Sequence, residues 1–189
     1  ALRSGALPVA QTLVAAGADI NSRTCSGDSC LHVAFRSARE PIARYLLLQK
    51  PRLDVINTAL DSPLHELMSS SFSSQDKLAL LYASCQALSS DEEQVARVLQ
   101  LRNCDGETLL HVACIAGDEK LVEALLQYGF DPAARTFSGV KKRSAGLDAA
   151  TIAGNLGWSG VEKLIASFLH KQEKIITTAS TSTVPLQIS

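Results

Sequence analysis

One short pattern constrains the fold of this chain more than any other feature. A hydroxylated residue is followed by any residue, then by Leu and His, at positions 29–32, 62–65 and 108–111. The first two histidines, His32 and His65, are 33 residues apart (65 − 32). A pattern that returns at a spacing of this size indicates a supersecondary unit that stacks on copies of itself. The sequence therefore predicts an array of stacked units.

The third occurrence shows what one unit contains. The Asp-Gly pair at 105–106 suits a tight turn with a positive φ, and Thr108 is a good N-cap for the helix that follows. Leucines within 121–126 recur on one face of a second helix. Gly129 then ends that helix. The predicted unit is a turn followed by two short helices, and one such unit cannot bury its own apolar face.

This pattern and its period resemble the ankyrin repeat, in which Thr-Pro-Leu-His-x-Ala lies within a β-turn and two helices. The resemblance covers nearly the whole chain. It implies an all-α fold, namely an ankyrin-repeat solenoid of stacked helix-turn-helix units with short β-hairpin fingers. The aromatic content of only 5 % also favours packed helices over a β-sandwich, whose strands are rich in aromatic residues.

The repeat period divides the chain into segments. We predict an array over residues 1–172, made of a partial repeat at 1–21 and further repeats at 22–54, 55–100, 101–134 and 135–172. Residues 173–189 are rich in Ser and Thr and lack a pattern that could offset the entropy of ordering them, so we expect a disordered tail. The opening turn of the first repeat would precede Ala1. We therefore expect the chain to be a piece of a longer array.

The second and third repeats depart from the pattern. Lys50-Pro51-Arg52 stands where the family has a glycine that ends the second helix, so the residue that favours a left-handed cap is missing. In the third repeat, 46 residues separate His65 from His111 (111 − 65), which is 13 more than the period. We expect a lengthened loop at 69–74 and an extra helical turn after the acidic residues 91–93.

The fifth repeat is also irregular. We place Asp148 at the histidine position, 37 residues after His111 (148 − 111). Four extra residues then fall at the tip of the turn, which contains Lys141, Lys142 and Arg143. This basic tip is either an ordinary solvated turn or a recognition element.

The three repeated histidines are predicted to be structural. His32, His65 and His111 occupy the same motif position, and by resemblance to the family each imidazole hydrogen-bonds to the preceding hydroxyl and to nearby backbone. Zinc binding is the alternative, because thiolates and imidazoles are its preferred ligands. However, the chain has neither a Cys-x-x-Cys nor a His-x-x-x-His pair. We therefore expect neither a metal nor a cofactor.

Composition limits the possible partners and locations. A net charge of −1 provides no electrostatic footprint for nucleic acid, and no apolar run is long enough to span a membrane. The five cysteines are an odd number without the spacing of a disulfide framework. The sequence favours an intracellular location, cytoplasmic or nuclear.

Binding is the function that the resemblance implies. No nucleophile or phosphate-binding motif is present, so we do not expect an enzyme. We expect a module of a larger protein that binds a protein partner through its concave finger and inner-helix surface. The candidate contact residues are Arg23, Asp28, Arg36, Asp61, Arg102, Asp105, Glu107, Ile115, Phe137, Lys141, Lys142 and Arg143. A rigid spacer between domains, or a substrate-recruiting module of an enzyme whose catalytic domain lies outside this chain, are the alternatives.

Overall fold

A computed structural model of the chain describes residues 7–88, 92–137 and 146–181. Within these ranges the chain is helical, and its only β-structure consists of two isolated bridges. The ten described helices are α1 (Leu7–Ala15), α2 (Cys30–Arg36), α3 (Glu40–Leu48), α4 (Pro63–Ser69), α5 (Ser74–Leu88), α6 (Glu92–Gln100), α7 (Leu109–Ala116), α8 (Glu119–Gln127), α9 (Ala149–Asn155) and α10 (Ser159–Thr181).

The helices form two layers. Helices α2, α4, α7 and α9 pack one on the next, and we call them the inner helices. The outer helices α1, α3, α5, α8 and α10 form the second layer, and each inner helix also packs on the outer helix that follows it. The core lies between the layers and is built mainly from leucines, including Leu31, Leu46, Leu64, Leu80, Leu110 and Leu125. Full burial stabilises each such side chain by about 1.5–3 kcal/mol.

Each inner helix begins at a capping residue. Ser29, Ser62, Thr108 and Asp148 precede the four inner helices and have extended backbone. In the first three, the hydroxyl lies 2.8 Å from Nδ1 of the histidine three positions later, and the N–H of the capping residue also donates to that nitrogen. This reciprocal capping satisfies backbone groups that a helix end leaves without partners. Each cap belongs to one repeating unit, which consists of the turn before the cap, the inner helix and the outer helix that follows. We call these four the second to fifth units.

The cap of the fifth unit corrects its predicted register. Asp148 is the N-cap of α9, and its carboxylate accepts a 2.8 Å hydrogen bond from the N–H of Thr151. Thr151, and not Asp148, therefore occupies the histidine position. The caps Thr108 and Asp148 are 40 residues apart (148 − 108), so the fifth unit has seven extra residues instead of four. The prediction was wrong because Leu147-Asp148 imitates the Leu-His step while Asp is also a strong N-cap residue.

The second unit ends in a left-handed residue despite lacking glycine. Lys50 follows α3 with a φ of 51°. Gly129 holds the corresponding position after α8, with a φ of 93°. Packing of α3 therefore imposes a conformation that disfavours a residue with a Cβ by about 1–2 kcal/mol.

The extra residues of the third unit form a complete helix. Helix α5 begins at Ser74, the last residue of the predicted loop, and α6 follows it as a second outer element that is longer than the single extra turn predicted. The N–H of Leu53 donates to the side-chain oxygen of Gln94 at 3.1 Å, and Arg97 Nε lies 2.7 Å from Asp54. Val98 is buried. Helix α6 therefore covers the segment that follows α3.

The C-terminal helix is longer than the sequence predicted. Helix α10 continues to Thr181, so residues 173–181 are helical instead of disordered. Residues 170–181 contain neither Gly nor Pro. Once a helix is nucleated, each further residue adds a hydrogen bond without a new nucleation cost. Residues 182–189 lie outside the described residues.

Candidate functional site

Four turns, which we call fingers, precede the inner helices. In each finger one backbone N–H donates across the turn at 2.9–3.0 Å, from Thr24 to Asp28, from Asn57 to Asp61, from Asn103 to Glu107 and from Thr136 to Leu147. The first three turns span five residues. The fourth spans twelve, from Thr136 to Leu147, and this difference accounts for the seven extra residues of the fifth unit.

Successive fingers are linked by their backbones. The N–H of Thr58 donates to the carbonyl of Ser26 at 3.0 Å, and the N–H of Cys104 donates to the carbonyl of Ala59 at 3.2 Å. The guanidinium of Arg102 donates to the carbonyl of Arg135 at 2.8 Å. These bonds fix the spacing of the fingers.

Two of the histidines join one unit to the next. Because the N–H of Ser29 donates to Nδ1 of His32 at 3.0 Å, the neutral ring carries its proton on Nε2. That nitrogen donates to the carbonyl of Asp61 in the next finger at 3.0 Å. His65 makes the corresponding contact to the carbonyl of Glu107 at 3.3 Å. Burial lowers the pKa of His32, and it lowers the pKa of His65 to about 4, so both rings are neutral at pH 7.

His111 makes a weaker contact with the following unit. Its Nε2 atom is buried and has no hydrogen bond of ordinary geometry within the part of the chain that the structure describes. The carbonyl at the corresponding position belongs to Leu147, which accepts the N–H of Thr136 at 2.9 Å. Burial lowers the pKa of His111, while the nearby backbone carbonyl of Leu147 acts in the opposite direction. The histidine contact between the fourth and fifth units is therefore weaker than those of the earlier junctions.

A charge network fills the space between the second and third units. Arg36 donates two hydrogen bonds to the carboxylate of Asp28, at 2.9 and 2.8 Å, and also contacts Glu66. Asn57 donates to Asp28 at 3.0 Å. The Arg36 guanidinium holds the pKa of Asp28 well below its usual range, although burial acts in the opposite direction. This bidentate geometry is the strong form of an Arg–carboxylate pair.

Arg102 and Phe137 form a second contact between fingers. The Arg102 guanidinium carbon lies 5.9 Å from the centre of the Phe137 ring, a cation–π arrangement. The same ring lies against Gly106, where an added Cβ would come within 2.7 Å of the ring carbon Cγ. Phe137 still exposes 53 % of its surface.

The comparison with protein families identifies the unit at the centre of this surface. Residues 105–137 match the family model of the ankyrin repeat. The chain carries an ankyrin repeat. The helical stack of the described residues has the all-α solenoid fold of ankyrin-repeat proteins. A search of curated proteins finds no match.

The matched segment begins in the finger of the fourth unit and ends at Phe137, in the finger of the fifth unit. The second and third units share its cap and finger geometry, whereas the fifth has an Asp cap and a longer finger. The number of ankyrin repeats in the chain stays a prediction. Ankyrin repeats are protein–protein interaction modules and a non-catalytic fold.

Several of the predicted contact residues are buried or form hydrogen bonds to other residues of the chain. Asp28 and Asp105 are buried. Arg36 and Arg102 are held by the contacts described above. Glu107 accepts a 2.9 Å hydrogen bond from Asn103.

Two others contribute mainly backbone or finger contacts. The carbonyl of Asp61 accepts a hydrogen bond from Nε2 of His32. The backbone N–H of Asp61 donates to Oδ1 of Asn57 at 3.1 Å. Arg23 is exposed, and it donates to the carbonyls of Gly27 and Ile56. Lys141, Lys142 and Arg143 lie outside the described residues.

Exposed apolar side chains mark the rest of the surface. Ile115, a predicted contact residue on α7, is 40 % exposed. Leu156 and Trp158, which were not among the predicted contact residues, are 50 % and 43 % exposed near the end of α9. The signal that could have found them is composition, because Trp158 is the only tryptophan of the chain. Tryptophan is enriched among the residues that dominate binding energy.

The remaining side-chain chemistry of the described residues is limited to thiols. Burial raises the pKa of Cys85 to about 11 and that of Cys114 to about 12, so both are protonated thiols at pH 7. Across the described residues, no group of three or more His, Cys, Asp or Glu side chains could hold a metal ion. None of the described helices combines the length and apolar content that a membrane span requires.

Proposed function

We propose that this chain is an interaction module of a larger protein and binds a protein partner along the surface formed by its fingers and inner helices. That surface is concave in arrays of this family. The observation that carries the proposal is the backbone linkage between fingers, from Thr58 to Ser26 and from Cys104 to Ala59. A surface that is already ordered loses less conformational entropy when it binds, which favours affinity.

The residues best suited to direct contact are exposed and not required by the fold. Thr58, in the finger of the third unit, and Ile115 on α7 meet both conditions. Phe137 adds an exposed aromatic ring beside Arg102. Arg36 instead has a structural role, so its replacement would report on folding as well as on binding.

An affinity-capture experiment with chemical cross-linking tests the proposal. The full chain and two variants, Thr58→Arg and Ile115→Arg, are compared as baits in a cell extract. The matched control is Gln127→Arg, an exposed position on the outer helix α8. We expect the same partner to be lost with both surface variants and kept with the control, while the melting temperature of each variant stays within a few degrees.

A rigid spacer is the second candidate, and one observation favours it. Helix α6 is fixed to the second unit by Arg97, Gln94 and the buried carboxylate of Asp54, which stiffens the array on its outer side. If no captured protein depends on Thr58 or Ile115, the spacer is supported and the binding proposal is contradicted. A captured protein that is an enzyme's substrate would support the recruiting role. An intracellular location, cytoplasmic or nuclear, is part of the proposal and agrees with five free thiols.

A further inference from the structure

Three exposed apolar side chains, Ile115, Leu156 and Trp158, belong to the ends of α7 and α9, and we call them the Trp158 patch. Helices α7 and α9 pack in register, and Ile115 and Leu156 lie seven and eight positions after their caps. The ring of Trp158 lies against Gly117, where an added Cβ would come within 2.7 Å of ring atom Cε2. The contact brings the end of α9 onto the end of α7. Ile115 lies two residues before Gly117, and Leu156 lies two residues before Trp158, so both are close in the chain to this contact.

The earlier units carry mostly polar residues at these positions. Counted from the caps, the positions are Arg36, Ser37 and Arg39 in the second unit, and Ser69, Ser70 and Phe72 in the third, where Phe72 is half-buried against the core. The patch is therefore a local property of the last two units and does not follow from the repeat architecture. An exposed apolar cluster with a polar border is typical of an interaction site.

Carboxylates border the patch. An added Cβ on Gly160, two residues after Trp158, would lie 1.7 Å from Oε1 of Glu119. An added Cβ on Gly154, two residues before Leu156, would lie 3.5 Å from Cδ of Glu162. Both side chains therefore extend over the segments that carry the patch. Among the described residues, neither carboxylate takes part in an ion pair.

The nearby lysines do not cancel this charge. Lys120 and Lys163 are exposed, and each follows one of the two glutamates by a single position on its helix. Successive residues of an α-helix point about 100° apart around the axis, so the lysines face a different direction from the glutamates. The border of the patch that Glu119 and Glu162 form is acidic.

We infer that the Trp158 patch binds a basic segment of a protein partner, with an apolar side chain of that segment on Trp158 and flanking Lys or Arg residues at Glu119 and Glu162. The inference rests on the proposed function and names the chemistry of its partner. Aromatic anchors supply binding energy, and complementary charges at the border speed association and select the partner.

The acidic border argues against two other occupants. The cytoplasmic leaflet of a membrane is negatively charged and attracts basic surfaces, so it repels Glu119 and Glu162. A second copy of this chain in a two-fold dimer would place the same patch against itself. That arrangement would bring the glutamates of the two copies together.

Selection from a random peptide library displayed on phage, with the full chain as target, tests the inference. Enriched peptides are synthesised and titrated while the emission of Trp158 is recorded. Because Trp158 is the only tryptophan, its emission reports on the patch alone. We expect peptides with an apolar residue between Lys or Arg residues, a shift of the emission to shorter wavelength, and weaker binding at higher salt.

Matched variants make the result specific. Leu156→Ser should raise the Kd of these peptides at least fivefold, and Leu48→Ser, at an exposed leucine on α3, should leave it unchanged. Glu162→Gln should raise the Kd severalfold, in contrast to Glu123→Gln on α8. Melting curves of all four variants verify that they are folded.

Three results would overturn the inference. Enrichment of acidic peptides, or binding that is lost with Thr58→Arg but indifferent to Leu156→Ser, contradicts it while leaving the proposed function intact. Failure to enrich any peptide also contradicts it, and the capture experiment then decides the proposed function separately. Binding to anionic vesicles, or a dimer in sedimentation that Leu156→Ser dissociates, would assign the patch to an occupant that the inference rejects.

Discussion

At the scale of single residues, the second unit and the finger that follows it contain three side chains in a conformation that favours glycine. Ala38, Lys50 and Leu60 have φ values of 49°, 51° and 60°. Glycines hold the corresponding positions of the fourth unit or its finger, at Gly117, Gly129 and Gly106. Packing therefore overrides local preference here, and the strain is open to direct measurement.

Replacing Lys50 with glycine should stabilise the chain. The substitution relieves about 1–2 kcal/mol of left-handed strain, of which the greater freedom of glycine in the unfolded chain cancels part. We expect a net gain of about 0.5–1 kcal/mol in the free energy of unfolding, measured by urea denaturation. The reverse change, Gly129→Ala, meets no atom within 4 Å and should cost a similar amount. A loss of stability in Lys50→Gly would show that the backbone there is not strained.

The buried histidines predict a loss of stability in mild acid. The pKa of His65 falls from its usual 6.5 to about 4 in the folded chain, so the folded state favours the neutral ring. Its contribution is complete above pH 6.5 and is lost as the pH falls toward 4. One buried group with this shift removes about 3 kcal/mol near pH 4. His32 and His111 shift in the same direction and add to the loss.

Urea denaturation over this pH window measures the effect. His65→Gln should reduce the slope of stability against pH between about 6.5 and 4, because it removes one group that the unfolded state protonates more readily. His170→Gln on α10, an exposed histidine, is the matched control and should leave the slope unchanged. A slope that is identical in the wild type and His65→Gln would contradict the neutral buried ring. The lowered pKa values of Asp28 and Asp54 act only below their usual value of 3.8.

At the scale of elements, α6 depends on a buried carboxylate. The side chain of Asp54 is 2 % exposed and pairs with Arg52 and Arg97. Arg97 also pairs with Glu93, whose side chain is 85 % exposed. A buried charge is costly when a partner is removed, whereas an exposed pair contributes little.

Arg97→Ala should therefore loosen α6, and Glu93→Ala should not. We expect faster hydrogen exchange over residues 92–100 and a loss of about 1–2 kcal/mol for Arg97→Ala. The change for Glu93→Ala should lie within about 0.5 kcal/mol. Equal effects of the two substitutions would show that Asp54 does not hold the helix.

The sequence predicted the elements where the repeated pattern was intact. The recurrence of Leu-His located the caps Ser29, Ser62 and Thr108, since each hydroxyl and imidazole must meet at a helix start. The pattern failed to locate the cap of the fifth unit, because Asp148 replaces the hydroxylated residue and Thr151 replaces the histidine. The acidic residues before α6 indicated a helical start, but its docking on Asp54 depends on contacts across more than forty residues.

The candidate site was less accessible to sequence reasoning. Register predicted which residues lie on fingers, but not that Arg36 is committed to Asp28 and Glu66, because these partners come from different units. It also did not show Leu156 and Trp158 as exposed neighbours. Exposure depends on how α9 packs on α7, and no local pattern records that.

At the scale of the whole molecule, the stack should not unfold uniformly. In a linear array each unit is stabilised only by its neighbours. His32 and His65 link their units to the next finger, whereas Nε2 of His111 has no hydrogen bond of ordinary geometry among the described residues. Among the second to fifth units, the fifth is therefore expected to separate first.

Native-state hydrogen exchange in low urea tests this order. Amides of α9 and of the first turns of α10 should open at a lower free energy than those of α4 and α7, by about 1 kcal/mol or more, the value of one buried hydrogen bond. Exchange of all inner helices at one common free energy would mean that the weaker contact of His111 Nε2 does not lower the stability of the fifth unit.

The central claim is that a protein partner is bound by the fingers and inner helices. Hydrogen exchange of the full chain, with and without the partner obtained by capture, tests it most directly. We expect protection of residues 57–61 and 103–107 and of the exposed side of α7, with no change in the outer helices α3 and α8. Protection confined to α3, α5 and α8 would contradict the claim and place the binding surface on the other side of the stack.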